Sequence, residues 1–170
     1  MKVKKKLVFS ILINLFVVIP LLLQAQQHNT SDISFKRISK GLSTSTINCI
    51  YQDHYGYIWI GTGNGLKRYD GVSTKLYENK FNDTTSLSDN FVRCIYEDKQ
   101  HRLWVGTNFG GLNLLIRDHD TFRRFKPSHK PNTIGDNAIS SITEDEHGVL
   151  WIGTINNGIS LFFGEKKSLN

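Results

Sequence analysis

The sequence predicts an all-β protein made of about three copies of one four-stranded antiparallel module. Three observations carry that expectation. Trp59, Trp104 and Trp151 recur at spacings of 45 and 47 residues, each in the setting apolar–Trp–apolar–Gly–Thr. The stretch before each Trp is rich in β-branched and aromatic residues, which favour strands, and closes on an Asp. A Gly-containing turn and a final apolar stretch follow each one.

The units begin at Ile47 (INCIYQDHYGYIWIGTGNGLKRYDG), Val92 (VRCIYEDKQHRLWVGTNFGGLNLL) and Ile139 (ISSITEDEHGVLWIGTINNGISLF), with lead-ins GLSTST, SLSDNF and TIGDNA. In the first unit residues 46–53 form the first strand. Asp53-His-Tyr-Gly56 is a turn, with Asp first and Gly fourth, and Asp145-Glu-His-Gly148 repeats it. Asp98-Lys-Gln-His101 departs from the pattern, because His replaces the Gly. Residues 57–62 form a second strand without polar alternation, so both its faces are covered. Gly63-Asn-Gly65 is a tight turn, Leu66 to Asp70 a third strand, Asp70-Gly71 a turn and Thr74 to Tyr77 a short fourth. The polar stretch Asn79–Asn90 carries the chain to the next unit. Four strands in about 45 residues is the size of a β-propeller blade. The repeats run over about 42–81, 87–128 and 134–170, inside a partial propeller at 35–170 that follows a linker at 26–34.

Residues 1–25 read as an export signal. Lys2, Lys4, Lys5 and Lys6 precede an apolar run from Leu7 to Leu23, and small Ala25 precedes polar Gln26. Cleavage after Ala25 is the expectation. An uncleaved signal anchor is the alternative, and both place the body outside the cytoplasm, in the periplasm. The net charge of +6 is largely the signal's: without its four lysines, 17 basic and 15 acidic residues remain. The body is near neutral, so the charge does not argue for nucleic acid.

The pattern D-x-x-G-x-[IL]-W-[IV]-G-T followed by G-[LI] resembles the two-component regulator propeller repeat. That repeat fills the periplasmic sensor region of hybrid histidine kinases, and Phe35–Ser43 resembles the start of these sensors. The resemblance implies a ligand-sensing propeller segment of a phosphorelay sensor responding to a glycan breakdown product. An oligosaccharide or other small ligand is then the implied partner. A homodimer is implied for the intact relative, and the membrane is met only through the signal. Relatives of this kind have about seven blades, a membrane helix and a kinase. Three blades leave a ring incomplete, so the chain is expected to be an N-terminal piece without kinase activity. An exported propeller lyase or hydrolase and a structural, protein-binding propeller are the competing readings.

The recurring residues are read first as structural. Trp59, Trp104 and Trp151 are packing residues between blades rather than sugar platforms. Gly61, Gly106 and Gly153 with Thr62, Thr107 and Thr154 belong to the same repeat phase. Asp53, Asp98 and Asp145 start turns, and their separate blades do not suit a hydrolase pair. No catalytic set, cofactor site or metal spacing emerges; the six histidines show no HxxxH or Cys–His pattern. His54, His101 and His147 fall in or beside equivalent turns. Cys49, Cys94 and Ser141 share a phase, and the two cysteines read as small buried residues, not a disulfide. Gly61–Lys67 lacks the ending of a phosphate loop. Arg117, Arg123, Arg124, Lys126 and Lys130 read as a solvated strand and connector.

Overall fold

The computed structural model describes residues 33–37, 46–130 and 133–164. The expected export signal at 1–25, and most of the linker and of the Phe35–Ser43 opening, lie outside the described residues. The chain divides into two compact units, 1–37 and 38–170. Of the first, residues 33–37 carry no strand.

Among its described residues the second unit is all-β, with a single 3-10 turn at Arg117–His119. The first sheet is a meander of β1 (Ile47–Gln52), β2 (Ile58–Thr62), β3 (Gly65–Tyr69) and β4 (Thr74–Tyr77). The second repeats it with β5 (Val92–Glu97), β6 (Leu103–Thr107), β7 (Leu112–Ile116) and β8 (Thr121–Phe125). The third holds β9 (Ile139–Glu144), β10 (Leu150–Thr154) and β11 (Ile159–Phe162), three strands among the described residues. All pairings are antiparallel. The third strand of the first sheet starts at Gly65, one residue before its expected start, because Thr62 and Gly65 form the last pair before the turn.

The sheets stack face to face. β1 lies against β5, and β5 against β9. One apolar layer joins Trp59, Leu66 and Tyr77 of the first sheet to Leu103, Val105, Leu115 and Phe122 of the second. The next joins Trp104 and Leu112 to Ile139, Leu150 and Ile152. Strand β6 is buried along its whole length, as a strand covered on both faces must be. Ile50 on the first sheet, Ile159 and Leu161 on the third, and Phe163 just after it are exposed.

The close approach of the sheets rests on glycine. A methyl group added to Gly61 would overlap Cys49 Sγ and lie 2.7 Å from Val92 Cγ1 of the second sheet. On Gly106 it would lie 2.5 Å from Cys94 Sγ and 2.7 Å from Ile139 Cγ2, and on Gly153 2.5 Å from Ser141 Oγ. The innermost strand therefore carries a small residue opposite the glycine in all three sheets: Cys49 pairs with Gly61, Cys94 with Gly106 and Ser141 with Gly153. Gly106→Ala is expected to cost about 1–3 kcal/mol through overpacking. Gly63→Ala adds a carbon with nothing within 4 Å and is expected to stay within about 0.5 kcal/mol of wild type. Paired urea-unfolding curves measure both.

Candidate functional site

Each recurring Asp does more than start a turn. Asp53 Oδ1 accepts the backbone N–H groups of Tyr55 (3.1 Å) and Tyr57 (3.0 Å), and Oδ2 accepts the Trp59 indole N–H at 2.7 Å. Asp98 repeats this with Gln100, Arg102 and Trp104, and Asp145 with His147, Val149 and Trp151. One carboxylate thus closes the turn and satisfies the indole donor that burial would leave unpaired. The Asp-x5-Trp spacing was the available signal for this bond, and the sequence reading assigned Asp to the turn alone. The Thr of each motif bridges the following turn. Thr62 Oγ1 donates to Gly65 O, Thr107 to Gly111 O and Thr154 to Gly158 O.

Trp59 and Trp104 are fully buried, whereas Trp151 is 42% exposed. The indole N–H of Trp151 holds the Asp145 carboxyl below its usual range, with the Val149 amide helping. The half-buried Cys49 and Cys94 are free thiols. Burial raises them from about 9 to about 11 and about 12 respectively.

Of the basic stretch, Arg123, Lys126 and Lys130 are exposed, as expected of a solvated strand and connector, whereas Arg117 and Arg124 are half-buried and bonded. Arg124 donates to the carbonyls of Asp83 (2.7 Å), Ser86 (2.9 Å) and Leu87 (3.1 Å), pinning the connector between the first two sheets. Arg117 reaches back to the first sheet with Nη1, 2.9 Å from Asp53 Oδ2, and holds Glu97 Oε1 of its own sheet with Nη2 at 2.6 Å. Its Nε is buried without a hydrogen-bond partner.

Between the first two sheets Arg117 borders an open depression of about 190 Å³. Tyr55, Tyr57, Arg68, Leu115, Arg117, Asp118 and Asp120 line it. The Arg68 guanidinium lies 4.7 Å from the Tyr57 ring centre, and that of Arg117 lies 5.1 Å from Tyr55. Asp120, held in the left-handed region at φ 54°, accepts from Lys75 Nζ at 2.5 Å and Tyr77 Oη at 2.6 Å. Burial raises its carboxyl, but those two bonds outweigh burial and set it below the usual range. Two aromatic faces, two guanidiniums and two carboxylates fit a small polar ligand with an apolar face. The sequence reading named none of these as binding residues, since Tyr55 and Arg117 are brought together only by stacking.

On the same turns, His54 and His101 stack with ring centres 4.0 Å apart. His54 Nδ1 lies 2.7 Å from Glu97 Oε1, and its backbone N–H donates to Glu97 Oε2 at 2.8 Å. Histidine spacing along the chain could not show this, because the residues come from two sheets.

Stacked antiparallel meanders, each with a Trp tied to its own turn, are consecutive blades of a β-propeller. Residues 41–64, 86–109 and 133–156 match the family profile described as Two component regulator propeller. A curated relative, Histidine kinase P4 of Formosa agariphila, is 42% identical over 81 residues, covering 48% of this chain and 6% of the relative. Among solved structures, the extracellular domain assigned to the hybrid two component system BT3049 of B. thetaiotaomicron superposes with a TM-score of 0.60. It is 27% identical, over 84% of this chain and 19% of that one. PorZ, a surface component of the type-IX secretion system of Porphyromonas gingivalis, gives 0.55 at 26% identity over 72% of this chain and 18% of that one. The chain thus spans under a fifth of the length of each of these proteins. No helix among the described residues is long and apolar enough to cross a membrane.

Trp104→Phe keeps a ring but takes one of two donors from Asp98 Oδ2, which retains Arg102 Nε, and removing that bond to a charged group is expected to cost about 1–3 kcal/mol. Trp151→Phe, at the exposed position, is expected to cost less; thermal unfolding ranks them. Both thiols are expected to resist an aromatic disulfide reagent at pH 8 when folded and to react fully in urea. Folding holds them protonated, so stability is full below the unfolded value near 9 and falls as pH rises toward about 11 to about 12.

Proposed function

We propose that these blades form part of the ligand-sensing, exported propeller of a two-component sensor, and that they are not themselves catalytic. The similarity of the repeats to an extracellular sensor domain and to a histidine kinase supports this reading. The depression at Tyr55, Tyr57, Arg68 and Arg117 carries the binding side of it. A saccharide ring presents an apolar face that stacks on tyrosine and hydroxyls that bond to guanidinium and carboxylate, so an oligosaccharide is the proposed ligand class. The sensed event would pass along the stacked sheets, because Arg117 of the second blade ties Asp53 of the first to Glu97 of its own and cannot shift without disturbing both. The export signal read at residues 1–25 is consistent with a periplasmic location.

The PorZ likeness favours a second reading, a surface propeller that binds another protein. A panel of neutral and acidic oligosaccharides titrated calorimetrically against the 170-residue chain separates the two. The sensor reading expects heat from at least one sugar class, with affinity falling tenfold or more in Tyr55→Ala and in Arg68→Ala. Silence across the panel removes the saccharide, and unchanged binding in both variants moves it from this depression.

A further inference from the structure

The two junctions between blades share a skeleton. At the first, the residue after the turn Asp (His54) gives its backbone N–H to Glu97, which ends the innermost strand of the next blade. At the second, Lys99 gives its backbone N–H to Glu144 in the same way, at 2.7 Å. Glu97 is therefore explained by stacking alone. The two histidines at the first junction are not: the equivalent positions at the second are Lys99 and Gly148.

His101 also sits where a side chain is disfavoured. The turn places Gly56 at φ 86° and Gly148 at φ 80° in the other blades, and His101 at φ 61°. A non-glycine residue held in the left-handed region is uncommon and calls for an explanation. Its ring lies over that of His54, and one ligand atom from each of His54, Glu97 and His101 falls within 4.8 Å of the others.

We propose that His54, Glu97 and His101 bind a divalent transition-metal ion of the zinc class, clamping the first blade to the second. Two imidazoles and one carboxylate are a zinc donor set that leaves a fourth position open to water or to a ligand oxygen. Zinc–ligand bonds of about 2.0–2.2 Å need the three atoms to close up slightly. Both histidines are exposed on turns, which leaves them room to do so. The contact between His54 Nδ1 and Glu97 Oε1 gives way as the ion enters, and the neutral imidazole then carries its hydrogen on whichever ring nitrogen does not bind the ion. Arg117, bonded to the same Oε1, adds a positive charge that weakens the site without filling it. The second junction, with Lys99 and Gly148, is an internal control that cannot bind.

The test is zinc titration of the 170-residue chain against a chromogenic chelator, with thermal unfolding alongside. His54→Lys and His101→Gly install the residues of the second junction, so neither burdens folding; His101→Gly relieves the left-handed position. The expected result is one zinc per chain, a zinc-dependent rise in Tm, and at least a tenfold loss of affinity in each variant, while His147→Ala binds as wild type. Absence of zinc binding to the wild type overturns the proposal. So does retention of wild-type affinity in the double variant His54→Lys/His101→Gly, which places the ion elsewhere.

Discussion

An indole carries a hydrogen-bond donor that becomes a liability once its ring leaves water. In this protein Trp59 and Trp104 are wholly buried between sheets, and each donor ends on a carboxylate six residues earlier in its own blade. That carboxylate also holds the turn between the first two strands of the blade. The bond therefore joins two levels of structure: it fixes the local hairpin and it licenses burial of the largest side chain at the blade–blade contact. Asp53 takes four donors, the fourth from Arg117 of the next blade, and Asp98 takes a bond from Arg102 of its own. Neighbouring blades thus solve one electrostatic problem with different arginines.

The same logic governs the inner strands. A Trp wedge on one side of β2 and β6 would be useless if the sheets were held apart on the inner side. Glycines 61 and 106 let Val92 and Ile139 of the following blade come within contact distance. Cys49, Cys94 and Ser141 are small because the glycine's missing side chain is space they already use. Burial raises both thiols well above their ordinary value, which keeps them protonated and unreactive at neutral pH.

What differs between blades, rather than what repeats, is where binding chemistry collects. The first junction holds Tyr55, Tyr57, Arg68 and Arg117 around its depression, with the His54–His101 stack beside it. The second junction keeps the backbone-to-glutamate bond but places Lys99, Gln100 and Gly148 in the corresponding turns. Propeller scaffolds carry specificity on such turns because the strands behind them are fixed by packing.

The sequence alone determined the strands, the turns and the blade period. All three depend on local patterns: β-branched runs, Asp and Gly at fixed offsets, and a Trp recurring every 45 to 47 residues. It also showed that β2 and β6 have no polar face, since a strand covered on both sides needs apolar residues at every position. The tertiary structure decided which side chains meet across blades. Arg117 reaches Asp53 over 64 residues of chain, and His54 and His101 stack although neither lies in a motif of closely spaced ligands. Such pairs leave no trace in local periodicity, because they are set by the rigid stacking of separate sheets rather than by the geometry of one strand or turn.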